Sequence, residues 1–283
     1  MYGTETRAAL TGKSVIFALA NEEETGMSNS QSEVKDRERE FHNNRYGADQ
    51  DPRAKLDKWY STMKESQDYF KSLIRANALE GSRVLEYGCG EGAGHLVDFD
   101  SSSKCDFYGI DISDEAIKKA VVNAREAGFH VSYKVADAED TKFESDYFDL
   151  VVGTAIIHHL DTDRSMAELS RITKPAGCCL FFEPLGQNPF INLYRSLTPA
   201  LRSPDEHPLC DSDFRIMRRY FKDVEVVYFH CFSLAAVCFR HTPWYDSAIK
   251  RFSRLDRYLI NRFSWFGKFC WYCVIQVRNP VSQ

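Results

Sequence analysis

Apolar residues along this chain fall into two alternating rhythms. Short runs rich in β-branched and aromatic residues, Arg83-Val-Leu-Glu86, Phe107-Tyr-Gly-Ile110, Val131-Ser-Tyr-Lys-Val135, Phe148-Asp-Leu-Val-Val152 and Cys178-Cys-Leu-Phe-Phe182, have the length and content of buried strands. Between them the apolar spacing relaxes to three and four, and Asp114 to Ala127 and Asp163 to Ile172 read as amphipathic helices. Strands and helices taking turns predict an α/β fold, a doubly wound, mostly parallel sheet with helices on both faces. The helix Asp211 to Tyr220, the strand Val224 to Phe229, a basic and aromatic helix from Tyr245 to Phe263 and a last strand, Trp271 to Val277, bring the sheet to seven strands.

Two other patterns frame this core. Ser32 to Asn43 and Arg53 to Ala78 have helical spacing and many charges, and Gly47-Ala-Asp-Gln-Asp-Pro52 splits them. Residues 1–30 therefore read as a flexible leader, 31–80 as an N-terminal helical cover over one mouth of the domain, and 81–283 as the main domain. Within that domain the rhythm breaks after Glu183. Pro184, Pro189, Pro199, Pro204 and Pro208 punctuate residues 184–210 around a short amphipathic helix, Ile191 to Leu197. An insertion after strand 5 with this density of polar side chains predicts a wall facing a substrate.

Composition narrows the class. With 283 residues, 43% of them hydrophobic, the chain can bury a large core. A net charge of -5 argues against a dedicated nucleic-acid binder, although Arg215 to Lys268 is locally basic. Nine cysteines without repeated spacing fit a reducing compartment, and a cytoplasmic location is expected. No metal is expected: Cys270-Trp-Tyr-Cys273 lies in a strand pattern without a second cysteine pair, which favours packing over zinc. The most apolar later stretch, Val224 to Phe239, carries Glu225 and His230 and falls short of the roughly 20 apolar residues of a spanning helix.

The candidate chemistry begins at Val84-Leu-Glu-Tyr-Gly-Cys-Gly-Glu-Gly-Ala-Gly94, a strand running into a glycine-rich turn ahead of a segment, His95-Leu-Val-Asp-Phe, with helical character. Gly88, Gly90 and Gly92 let a bulky ligand approach the backbone, and Asp111, ending the next strand, can accept from both ribose hydroxyls. A nicotinamide dinucleotide and S-adenosyl-L-methionine satisfy these features equally. Glu86 separates them, because a carboxylate just before the glycines suits an ammonium and a sulfonium better than a diphosphate.

Taken together, VLEYGCGEGAG, FYGIDIS, VADAED, FDLVVGTAIIHHL and LSRITKPAGCCLFFEPLG resemble, in order and spacing, the core motifs of class I S-adenosylmethionine-dependent methyltransferases, of the type grouped with quinone-biosynthesis and small-molecule enzymes. The resemblance spans Gly81 to Gly186 and implies a Rossmann-like domain. It implies that Glu86, Gly88, Gly90 and Gly92 meet the methionyl and ribosyl part of the cofactor, that Asp111 takes the ribose hydroxyls and that Ile112 lies on the adenine face. Asp137 would accept from the adenine amino group beside Ala138, Thr154 would face the methyl donor, and Tyr60 of the pair Trp59-Tyr60 would reach the cofactor carboxylate.

Methyl transfer from a sulfonium is a direct displacement, so in-line placement matters most, and a base helps where the acceptor has a proton to lose. His158 and His159 follow the fourth strand, and His207 sits in the insertion; these are the candidate bases. Glu183, Arg195 and Arg202 are the candidate substrate contacts, the arginines alternatively pairing with Asp205 and Glu206. The expected function is methyl transfer to oxygen, nitrogen or carbon of a small, apolar or aromatic molecule. A nicotinamide-dependent oxidoreductase and a catalytically silent cofactor-binding scaffold are the competing readings.

Overall fold

The computed structural model describes residues 32–47, 61–92, 104–199 and 202–281, and the statements below concern these. The leader (1–30), Trp59-Tyr60 and the segment after Gly94 lie outside them. The elements are a helix α1 (32–47), α2 (Lys64–Asn77), β1 (Arg83–Tyr87), β2 (Asp106–Asp111), α3 (Asp114–Glu126), β3 (Ser132–Val135), β4 (Phe148–Thr154) and α4 (Thr162–Ile172). There follow β5 (Thr173–Pro184), α5 (Pro189–Leu197), α6 (Asp211–Tyr220), β6 (Phe221–Phe229), α7 (Tyr245–Arg262) and β7 (Tyr272–Pro280).

The seven strands form one sheet in the order β3-β2-β1-β4-β5-β7-β6. β1 to β5 pair in parallel, and β7 enters antiparallel between β5 and β6. The mostly parallel α/β sheet read from the apolar rhythm is therefore present. Because side chains alternate across a strand, the continuous apolar runs split into two cores. Leu85, Tyr87, Val151 and Phe181 face Met166 and Leu169 of α4 and Phe214 and Met217 of α6. Val84, Leu150, Val152 and Phe182 face Phe70 and Ile74 of α2.

Local chemistry sets the helix starts. Ser113 caps α3 by accepting from the Ala116 N–H at 3.1 Å. Asp161 caps α4 by accepting from Asp163 and Arg164 at 2.9 and 3.1 Å. α5 begins at Pro189, with Asn188 accepting from Phe190 and Ile191 at 3.0 and 3.1 Å. Several boundaries differ from the sequence expectation, three of them by three residues or more at a point that shapes the sheet or its cover. α1 runs on to residue 47, β5 starts at Thr173 through a register irregularity opposite Phe148 to Leu150, and β6 starts at Phe221. The last two strands are extended by tertiary pairing, which local apolar spacing does not encode.

Candidate active site

β1 ends at Tyr87 and the chain turns at Gly88 with φ +74°, where a Cβ would come within 2.8 Å of the Ile156 side chain. Only glycine meets both demands. The Gly88 and Cys89 N–H groups donate to the Ile110 carbonyl at 2.9 Å, which staples the turn to the end of β2. Asp111 completes that junction: Oδ2 accepts from the Gly90 N–H and Oδ1 from the Ser113 N–H, each at 2.9 Å. Each carboxylate oxygen keeps a second lone pair, so this side chain holds the loop and can still accept from a ligand.

Beside this junction lies a cavity of about 280 Å³ lined by Gly88, Asp111, Ile112, Asp137 and Ala138, together with Ile156, His159 and His207. Five of the residues assigned to the nucleotide thus share one space. The Asp137 Oδ1 accepts from the Glu139 N–H at 2.9 Å, and the Ala138 carbonyl accepts from the buried Tyr87 hydroxyl. Four other assigned residues stand off the cavity wall. Glu86 is buried near the end of β1, and Gly90 and Gly92 pack behind the loop, where added Cβ atoms would meet the Tyr46 and Tyr133 hydroxyls. Thr154 is exposed at the end of β4. Tyr60 lies outside the described residues.

The opposite wall of the cavity comes from α1, whose Val34, Lys35, Glu38 and His42 follow one helical face. Lys35 pairs with Asp137 and, at 2.9 Å, with Glu139. Sequence reasoning placed a helical cover here but missed these four residues.

A second cavity of about 630 Å³ opens on the other side of the β4 terminus, between α5 and the segments 231–238 and 266–272. Its lining is mainly apolar, including Pro184, Ile191, Phe232, Leu234 and Phe269, with His158, Arg195, Arg202 and Glu206 among its polar groups. His158 borders this cavity and His159 borders the first, and their rings lie 4.2 Å apart, so the histidine pair forms the partition between the two spaces.

Glu183, expected as a substrate contact, is instead completely enclosed. Its Oε1 accepts from the Ile156 and Ile157 N–H groups at 2.9 Å each, and its Oε2 lies 2.8 Å from His158 Nδ1. The correction follows from strand alternation: near the end of β5, beside β4, this position points into the sheet junction and not toward the insertion. Burial pushes the Glu183 pKa up to about 7, against the lowering effect of the two N–H donors. Burial, then the neighbouring His158, lowers His159 to about 4, with Glu38 opposing. His207 faces the first cavity, and its backbone N–H donates to the His158 carbonyl at 2.7 Å.

The two arginines separate in their partners. Arg202 pairs with Glu206 at 3.1 Å, while Asp205 is held by Arg37 of α1 at 2.9 Å. Arg195 donates to the Leu185 carbonyl at 2.9 Å and to Asn192 at 3.0 Å, and it has no carboxylate partner among the described residues. All nine cysteines are free thiols, with Cys270 and Cys273 buried as packing residues. Among the described residues no helix is long and apolar enough to cross a membrane.

Residues 85–181 match the family model described as a methyltransferase domain. This central part of the chain is thus similar to methyltransferase domains. The chain is similar to a ubiquinone biosynthesis O-methyltransferase of Bordetella avium, 30% identical over 116 residues that make up 40% of this chain and 47% of that protein. It thus spans about half the length of the relatives it matches. The fold is shared with phosphoethanolamine N-methyltransferase 2 of Haemonchus contortus in complex with S-adenosyl-L-methionine, at TM-score 0.56 and 16% identity over 85% of this chain and 60% of that one. It is shared also with the cyclase SpnF, at TM-score 0.51 and 18% identity over 77% and 84%.

Proposed function

We propose that this chain transfers a methyl group from S-adenosylmethionine to a small, largely apolar acceptor bearing a dissociable proton, with His158 as the general base. The observation that carries the reading is the histidine partition: a nucleotide-sized cleft and an apolar cavity meet at His158 and His159, and a buried carboxylate fixes the first of these rings. The cleft suits the cofactor because Gly88 leaves room that a Cβ would fill and because Asp111 and Asp137 offer carboxylates where ribose hydroxyls and an adenine amino group require acceptors. When bound, the cofactor supplies an electrophilic methyl group on a sulfonium.

The chain's own residues do the rest. The apolar walls of the larger cavity exclude water and hold the acceptor, while Arg195, hydrogen-bonded to the Leu185 carbonyl and to Asn192 on the same wall, is available to an anionic group on it. His158 takes the acceptor proton at Nε2, its Nδ1–H donating to Glu183, and the carboxylate stabilises the imidazolium that forms. Oxygen is the acceptor atom best supported, since the similar Bordetella protein carries an O-methyltransferase name. Titration calorimetry with S-adenosylhomocysteine, followed by labelled-methyl transfer across a panel of phenols carrying or lacking a carboxylate, tests the reading. Binding lost on Asp111→Ala and transfer to phenols are expected. Cofactor binding without any methylated product would favour the silent scaffold.

A further inference from the structure

One cluster in the cleft wall is not needed by this chemistry. Glu38 and His42 stand one turn apart on α1, and His159 meets them from the end of β4. Their side chains are only 7%, 15% and 6% exposed. Glu38 Oε2 lies 3.2 Å from His159 Nδ1 and 3.5 Å from His42 Nε2. Yet Glu38 Oε2 and His159 Nδ1 have no hydrogen-bond partner among the described residues, so the two atoms approach each other without the alignment of a hydrogen bond. Meanwhile Glu38 Oε1 accepts from the Ser203 hydroxyl, which turns Oε2 toward the imidazoles.

We propose that Glu38, His42 and His159 form a binding site for a divalent transition metal, zinc by preference, which pins α1 to the end of β4. Two imidazole nitrogens and one carboxylate oxygen are a ligand set that zinc favours, and a tetrahedral site with bonds of about 2.0–2.1 Å has ligand-to-ligand edges of roughly 3.3 Å. The observed separations of 3.2 and 3.5 Å are of that size. An ion there satisfies two of the cluster's three orphaned atoms, Glu38 Oε2 and His159 Nδ1, leaving His42 Nδ1 as the ring nitrogen away from the ion, and Ser203 supplies the outer hydrogen bond that orients the carboxylate. Three protein ligands leave a fourth position for water. The site does not depend on the methyl-transfer reading, because it joins the cover helix to the sheet whatever the cleft holds.

The test uses the full chain stripped with EDTA and titrated with Zn²⁺, with Co²⁺ as the spectroscopic probe. One equivalent of Zn²⁺ is expected to bind, and hydrogen exchange of residues 32–47 is expected to slow on its addition. His42→Ala and, separately, Glu38→Gln should each weaken binding by more than roughly 100-fold, since even outer-shell changes cost 10- to 100-fold. His130→Ala, on an exposed histidine elsewhere, should leave it unchanged. The proposal is overturned if no stoichiometric Zn²⁺ binds, if both variants keep the parental affinity, or if the Co²⁺ spectrum shows thiolate charge transfer, which would assign the ion to cysteine. Glu38→Gln preserves side-chain volume, so it serves should His42→Ala fail to fold.

Discussion

Replacing Glu183 by glutamine tests the partition at its most sensitive point. The amide oxygen can satisfy either the two N–H groups of Ile156 and Ile157, now bonded at 2.9 Å, or the single His158 contact at 2.8 Å. Turning it away from the N–H pair would leave two buried donors facing an amide NH₂, at about 1–3 kcal/mol each. The oxygen therefore stays with the backbone, and the NH₂ points at His158 Nδ1. That nitrogen must then accept, which moves the ring proton to Nε2, the nitrogen assigned above to the acceptor proton. The base is thereby blocked, and kcat/KM should fall by about 10²- to 10⁴-fold, or roughly 3–5 kcal/mol of barrier. Steady-state kinetics of methyl transfer give the first readout, and the affinity for S-adenosylhomocysteine, expected within about threefold of the parent, gives the second; a threefold change in rate corresponds to about 0.6 kcal/mol. If kcat/KM stays within that margin, or if cofactor affinity falls in step with rate, Glu183 does not act through the tautomer of His158.

Other consequences concern the walls of the two cavities. Asp256, buried on α7, accepts from the N–H groups of Cys231, Phe232 and Ser233 at 3.1, 2.7 and 3.0 Å and so fixes one wall of the larger cavity. Asp256→Ala strands three donors and should cost about 3–5 kcal/mol in a urea melt; a loss under 1 kcal/mol would contradict this. His230 is buried against Ser66 at 2.6 Å, and burial depresses its pKa from 6.5 to about 4. Between those values the unfolded chain binds the proton that the folded chain refuses. Stability should therefore be complete above pH 6.5 and fall by about 3 kcal/mol as pH drops toward 4. Melts of His230→Gln across this window should lack that share of the slope, and an unchanged slope would refute the assignment.

The parts of this molecule legible in its sequence are those that local chemistry specifies. The glycine turn at Gly88 and the acid at Asp111 sit at fixed positions relative to β1 and β2, and the two strands are neighbours in the sheet. Asp137 and Ala138 follow from β3 in the same way. What spacing did not show depends on contacts between distant segments. Glu183 reads as a polar residue opening an insertion, and only the pairing of β4 with β5 turns it inward toward His158. Lys35, Glu38 and His42 share a helical face, but a face alone does not say which cavity it covers. Tyr133 is a further case: its ring crosses Gly109 on the neighbouring strand and carries its hydroxyl to Gly92, a relation created by the sheet register.

Under the proposed function a methyl group passes between the two cavities at His158. His158→Ala tests it most directly, with cofactor affinity and single-turnover transfer measured on the same protein. S-adenosylhomocysteine should bind as in the parent while transfer slows by about 10²- to 10⁴-fold. Transfer at the parental rate by a variant that binds the cofactor normally would contradict it.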